Sequence, residues 1–252
     1  MKTHKIGIIG IGMISEFHAK ALAEIPNAEL VAAHSRSLEK AEKFTAEFGG
    51  KAYDSIDEFM ADPEIEIVSI CTPSGAHAET AIAAAKAGKH VICEKPIEIS
   101  LERIDAMTQA HADAGTKLCG IFPYRFNDVT NEMKRAVDAG RFGKLTFAAA
   151  HVPWWRDQKY YDEGGWKGTQ QLDGGGALMN QSIHAVDSLI WLMGDVDSIM
   201  AYTDCLAHDN IEVEDTAVAC LRFKNGALGL ISGTTSIYPG HFRRVEICGN
   251  EG

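Results

Sequence analysis

Short apolar runs alternate with longer amphipathic stretches through the first half of the chain. Residues 6–10, 29–34, 51–53, 65–71, 90–93 and 117–121 read as strands, mostly without polar alternation. Strands of that kind are buried on both faces. Residues 13–24, 38–48, 76–87 and 101–114 carry helical spacing, and Gly88 and Gly115 close the last two. Strands separated by helices predict a doubly wound parallel sheet.

The texture changes after Phe122. Residues 127–139 read as a helix that stops at Gly140, and 145–152 alternate like a half-exposed strand. A loop rich in aromatics follows over 153–172, then three glycines (Gly174, Gly175, Gly176) and one helix over 177–193. Strands are expected at 198–203, 216–223, 227–234 and 243–248, with a hairpin turn at Lys224-Asn225-Gly226. The pattern predicts an α/β chain of two domains: a Rossmann-type domain over 1–122 and an α+β domain with a mostly antiparallel open sheet over 123–252.

Composition narrows the function classes. With 252 residues, 46% of them hydrophobic, the chain can bury a core in each domain. A formal net charge of -11 disfavours nucleic acid and anionic membranes as partners. No apolar run approaches the roughly 20 residues of a membrane span, and no signal-peptide pattern opens the chain, so a cytoplasmic protein is expected. The six cysteines form no Cys-x-x-Cys pair and are expected as reduced, buried thiols.

Gly10-Ile11-Gly12-Met13-Ile14-Ser15 follows the first strand and opens the first helix. In a dinucleotide site the first glycine allows a tight turn and the second lets a pyrophosphate approach the backbone. A small third residue lets helix pack on strand, and free N–H groups at the helix start, those of Met13 and Ile14 here, hold phosphate. The second strand ends Ser35-Arg36 where NAD enzymes usually carry a carboxylate. Arg36 suits a 2′-phosphate, which tilts the cofactor toward NADP over NAD.

Further on the chain reads Cys71-Thr72-Pro73-Ser74-Gly75-Ala76-His77, then Glu94-Lys95-Pro96, Tyr124-Arg125-Phe126, Gly140-Arg141-Phe142-Gly143-Lys144, and an unbroken match from Gly174 to Asp187. In this order the motifs closely resemble the glucose–fructose oxidoreductase / inositol dehydrogenase / MocA family. The resemblance implies a Rossmann domain followed by an α/β domain whose open sheet forms a homodimer or homotetramer interface. It implies that Thr72, Pro73 and His77 line the cofactor, that Glu94 and Lys95 sit where nicotinamide meets substrate, and that the Lys95-Pro96 bond is cis. It assigns proton transfer to His184, polarisation of the substrate oxygen to Lys95, and substrate binding to position 180. The family commonly carries Asp at that position, where this chain has Asn180. It also runs well past 300 residues, so the stop at Gly252 reads as a truncated C-terminus.

The chemistry agrees with that assignment. Alcohol oxidation needs a proton acceptor and a group that steadies the alkoxide. Histidine suits the first task and a desolvated lysine the second. Asn180 and His184 are four residues apart, one face of a regular helix, and Asp187, three residues on, reads equally as an orienter of the imidazole or as a surface or structural carboxylate. Arg125, Trp155, Arg156 and Trp166, with Tyr160, Tyr161 and Lys167 nearby, offer flat faces and cations for a sugar-like substrate. The other histidines lack metal-ligand spacing, so no metal is expected. A non-sugar substrate such as a trans-dihydrodiol, or a non-catalytic NAD(P)-sensing regulator, are the competing readings.

Overall fold

The computed structural model describes residues 2–163 and 165–252. The chain divides into two compact units, Met1–Ile121 and Phe122–Gly252.

In the first unit the strands are β1 (His4–Ile9), β2 (Ala28–His34), β3 (Lys51–Tyr53), β4 (Ile67–Ile70), β5 (His90–Cys93) and β6 (Leu118–Gly120). The helices are α1 (Met13–Ala23), α2 (Leu38–Phe48), α3 (Ile56–Ala61), α4 (His77–Lys86) and α5 (Leu101–Asp113). Strand order is β3-β2-β1-β4-β5-β6, and every pairing is parallel. Ser37, Ser55 and Ser100 start α2, α3 and α5 by accepting the backbone N–H of Lys40, Glu58 and Arg103. Ile8, Val68, Ile70 and Val91 are fully buried between the helical layers. Each such side chain contributes roughly 1.5–3 kcal/mol through burial. The sheet reverses its strand order between β1 and β4, the crevice where ligands of this architecture bind. Helix α3 is six residues long, and its apolar positions Ile56, Phe59 and Met60 make a single turn too short to stand out in the sequence pattern.

The second unit holds α6 (Asp128–Asp138), β7 (Leu145–Pro153), α7 (Gln158–Asp162), α8 (Ile183–Met193), β8 (Val196–Asp204), β9 (Thr216–Phe223), β10 (Leu228–Thr234) and β11 (Arg244–Gly249). Its sheet runs β11-β7-β10-β9-β8, antiparallel except for the parallel pair β7–β10. Strict alternation along β9 buries Ala217, Ala219, Leu221 and Phe223 and exposes Val218, Cys220 and Arg222. Helix α8 covers the buried face with Ala185, Leu189 and Met193.

Three expectations are corrected. The aromatic segment is not a plain loop, because Asp157 caps the short helix α7 through the Tyr160 N–H. The helix expected over 177–193 is broken: Ala177–Gln181 form a π turn and α8 begins only at Ile183. Of the six free cysteines only Cys93 is buried and Cys71 half-buried; Cys119, Cys205, Cys220 and Cys248 are exposed. Cys220 falls on the outward side of its strand's alternation. None of the helices among the described residues is long and apolar enough to cross a membrane.

Candidate functional site

In the first unit, the candidate cofactor site is built at the carboxyl ends of β1, β2, β4 and β5. Gly10 has φ +92, and a Cβ there would lie 2.7 Å from the backbone of Cys71 and Thr72. Only glycine permits this approach, which draws the β1 turn against the end of β4. Gly12 differs, since a Cβ there would meet no protein atom within 4 Å. The open space beside Gly12 faces the helix start and fits a phosphate group. The Gly12 N–H donates to Ser15 Oγ at 2.9 Å, and the Ser15 hydroxyl donates back to the Gly12 carbonyl at 2.7 Å. That exchange explains serine as the third small residue. The amides of Met13 and Ile14 open the first turn, where no intrahelical acceptor exists. Thr72 Oγ1 is buried with no hydrogen-bond partner among the described residues. An orphaned hydroxyl beside the glycine turn suits a ribose hydroxyl, so the residues present fit a dinucleotide.

Ser35 ends β2 half-buried, and its hydroxyl accepts the Ser37 N–H at 3.3 Å. Arg36 is exposed and makes no ion pair among the described residues. Pro73 is half-buried at the start of the turn before α4. His77 is a correction. It is 1% exposed, with Nε2 2.9 Å from the Thr72 carbonyl and Nδ1 3.0 Å from the Pro96 carbonyl. Its ring is a strut joining two turns from beneath and does not form their lining.

Glu94 and the half-buried Lys95 follow β5, and the Lys95-Pro96 bond is cis. The Glu94 carboxylate is held at both oxygens. One accepts the Lys95 N–H at 3.0 Å, and the other lies 3.0 Å from His18 Nε2. His18 Nδ1 in turn lies 2.7 Å from Ser69 Oγ. Burial pushes the Glu94 carboxyl up, but the His18 hydrogen bond, the Lys95 N–H and the nearby Lys95 charge outweigh it. The carboxyl therefore rests below its ordinary range and stays ionised at neutral pH. The neighbouring Cys71 thiol is pushed up to about 12 by burial and by Glu94, so it is no nucleophile. His18 was missed in the sequence because its partner lies 76 positions away. Its place on α1, two turns past Gly10, was the available signal.

In the second unit, a separate cluster of candidate residues surrounds the π turn. Glu214 grips this turn, its carboxylate accepting the Gly176 and Leu178 N–H groups at 2.9 and 2.8 Å. A Cβ on Gly176 would fall 1.7 Å from the Glu214 carbonyl, so the third glycine is required. The Ser182 N–H reaches back five residues to the Ala177 carbonyl, and the extra residue places Asn180 and His184 on either side of a break. Such single π turns recur at functional sites. The Asn180 amide donates to Asp173 Oδ1 at 2.6 Å, while Asp173 Oδ2 accepts the Gly168 N–H. The His184 ring packs 4.9 Å from the Tyr124 ring and edge-on to Phe122 at 6.5 Å.

Arg125 and Asp187 pair with each other. Arg125 donates through Nε and Nη2 to the two oxygens of Asp187 at 2.8 and 2.5 Å. Both oxygens of Asp187 are thereby held by Arg125, while Arg125 Nη1 stays outside the pair. Trp155 bridges to Ser236 and stands edge-on to Tyr238 at 5.5 Å. Trp166 is half-buried, and its carbonyl accepts the Thr169 hydroxyl at 2.7 Å. Arg156 reaches Gln181 Oε1 at 2.9 Å, and Gln181 in turn donates to Tyr160 Oη at 2.8 Å. Asp173, Tyr160 and Gln181 are site residues that the sequence pattern alone did not single out together. Among the described residues no group of three or more His, Cys, Asp or Glu could hold a metal ion.

Comparison with known proteins places this arrangement. Residues 4–121 match the model of an oxidoreductase family with an NAD-binding Rossmann fold, and residues 130–252 match the GFO/IDH/MocA C-terminal domain. Among curated proteins, myo-inositol 2-dehydrogenase of Thermotoga maritima is 34% identical over 98% of this chain and 73% of its own length. Among solved structures, the WlbA dehydrogenase of Bordetella pertussis, in complex with NADH and UDP-GlcNAcA, superposes with a TM-score of 0.95. It is 37% identical, covering 99% of this chain and 76% of its own. Levoglucosan dehydrogenase in complex with NADH and levoglucosan superposes with a TM-score of 0.92 at 26% identity, covering 99% and 72%. The chain belongs to the GFO/IDH/MocA family of NAD-binding oxidoreductases and is an NAD(P)-dependent oxidoreductase acting on CH–OH groups.

Proposed function

We propose that the protein interconverts a secondary hydroxyl and a ketone on a sugar, polyol or nucleotide sugar, with Lys95 polarising the substrate oxygen and His184 transferring its proton. The observation that carries the reading is the doubly held Glu94 beside Lys95, at the strand ends that also present Gly12 and the Thr72 hydroxyl. A bound nicotinamide supplies the hydride acceptor or donor. Lys95 offers a cation where charge develops on oxygen, and His184 offers a group that takes up a proton near neutral pH. The inositol and levoglucosan dehydrogenases and the UDP-GlcNAcA complex support a ring-bearing polyhydroxy substrate. Nicotinamide absorbance followed across a panel of polyols, sugars and nucleotide sugars tests this reading. Turnover of at least one of them is expected, and cofactor binding without turnover of any would sink it.

The two structures named above hold NADH, and the exposed Arg36 in place of a carboxylate, with no ion pair among the described residues, supports acceptance of NADPH as well. In the same panel Arg36→Ala is expected to lower kcat/KM with NADPH about tenfold more than with NADH, the worth of one charge-assisted phosphate contact. An unchanged ratio removes Arg36 from cofactor selection.

His18 is read as a positioning residue for the Glu94–Lys95 turn. Groups that orient an active residue in this way are worth about 10- to 100-fold. His18→Ala should therefore lower kcat within that range at little change in the KM for cofactor, and His18→Gln, which keeps a donor toward Glu94, should recover part of it. A wild-type kcat in His18→Ala refutes the assignment.

The outer face of the second sheet carries Phe147, Met200, Tyr202, Val218, Cys220 and Leu228 in register. Met200 is 69% and Tyr202 79% exposed. Contiguous apolar surface of this kind marks an interface, and we read it as the contact of a homodimer or homotetramer. Light scattering should return one of these masses for the wild type and a monomer for Tyr202→Glu. A monomeric wild type contradicts the reading.

A further inference from the structure

Arg156 and Lys167 lie against one aromatic ring. The Arg156 guanidinium carbon is 5.3 Å from the Tyr160 ring centre, and Lys167 Nζ is 3.7 Å from it. Both side chains are half-buried. The partners of Arg156 are neutral: Nη2 donates to Gln181 Oε1 at 2.9 Å and Nη1 to the Trp155 carbonyl at 3.2 Å. Its Nε is buried with no hydrogen-bond partner among the described residues. The hydrogen bond of Lys167 is to the Tyr160 carbonyl at 3.4 Å.

Neither cation forms an ion pair with a carboxylate among the described residues. This runs against supply, since the chain has 35 acidic side chains for 24 basic ones. Elsewhere arginines are neutralised: the half-buried Arg103 by Glu98 and Glu79, and even the exposed Arg125 by Asp187. Asp173 and Glu163 act on Lys167 only through space, and burial together with the Arg156 charge outweighs them, holding the ammonium below its ordinary range. The two oxygens of Asp173 are already engaged by Gly168 N–H and the Asn180 amide. Two like charges kept together away from water are costly unless an anion joins them. Nη1 and Nη2 of Arg156 each keep a second N–H beyond these bonds, and the Lys167 ammonium has protons to spare.

We propose that Arg156 and Lys167 form a receptor for an anionic oxygen group on the substrate, a carboxylate or a phosphate, so that the enzyme selects acidic sugars over neutral polyols. The proposal rests on the sugar dehydrogenase reading for its substrate frame and adds the charge of that substrate. Tyr160 and Trp154 flank the guanidinium, the latter ring 5.4 Å away, and fix it before any ligand arrives. A pre-positioned cation spends little conformational entropy on binding.

The test is calorimetric binding to the NADH-loaded protein, with ligand pairs that differ by one anionic group. UDP-glucuronate against UDP-glucose isolates the carboxylate, and glucose 6-phosphate against glucose isolates the phosphate. The wild type should bind the more anionic member of at least one pair about tenfold more tightly, and the pair that shows it identifies the group. Arg156→Gln and Lys167→Gln should each cut that preference about tenfold, and Lys167→Arg should keep it. Thermal melting checks that each variant is folded, and Lys167→Gln carries the test if Arg156→Gln is not. Equal affinity within both pairs overturns the proposal, as does a preference that survives in folded variants. Binding does not require turnover, so the two readings fail separately. Anion preference without hydride transfer sinks the dehydrogenase reading alone. Turnover of neutral polyols without anion preference sinks this one alone.

Discussion

Replacing Lys95 by methionine is expected to lower kcat about 10²- to 10³-fold, the usual loss when one preorganised stabiliser of a developing oxyanion is removed. Methionine keeps the length and apolar stem of lysine and removes the charge. Lys95 follows β5 directly, with its N–H fixed to Glu94, so the loss falls on chemistry more than on folding. Lys95→Arg should recover little, because a planar fork does not replace a compact ammonium in a confined site. Steady-state kcat beside NADH affinity by fluorescence titration decides the matter. The affinity should move far less than kcat. A kcat within about threefold of wild type would remove Lys95 from the reaction.

The second large effect is expected at His184. A positioned acid–base group contributes about 10²- to 10⁴-fold, and His184→Gln should cost an amount in that range. Glutamine preserves hydrogen bonding and lacks a titrating ring. Oxidation of an alcohol needs the neutral imidazole to accept the proton. Lowering the pH protonates it, so wild-type kcat/KM should fall on the acid side. In His184→Gln that acid limb should vanish and leave a low, flat profile. Retention of the limb with its original midpoint would assign it to another group. Asn180 is a poor substitute, since its amide is tied to Asp173 and has no carboxylate to take a proton.

Buried parallel strands announce themselves as unbroken apolar runs, and glycines mark the turns between them. The order of β1 to β6, the glycine turn and the Glu94-Lys95-Pro96 stretch were therefore legible. What escaped depends on partners far along the chain. The π turn exists because Glu214 caps Gly176 from 38 positions away, and nothing in residues 177–193 reports that hold. Without the cap a continuous helix is the reasonable reading. Arg125 read as a substrate contact, and the fold brings Asp187, 62 positions on, to the Nε–Nη2 edge of its fork. His18 stood among the histidines that lack metal-ligand spacing, and only the fold brings it to Glu94. Side chains that bind each other across the fold and side chains that wait for a ligand are the same residue types. The pairing separates them, and pairing is a tertiary fact.

The central claim is hydride transfer governed by Lys95 and His184, and isotope transfer tests it most directly. The protein is incubated with nicotinamide dinucleotide deuterated at the transferring carbon, in its reduced form, and with the keto form of whichever panel sugar turns over. The recovered alcohol is then examined by mass spectrometry. The account predicts one deuterium on the carbinol carbon with wild type, and its formation slowed about 10²-fold or more in Lys95→Met and His184→Gln. Alcohol formed without deuterium, or formed at the wild-type rate in both variants, would contradict it.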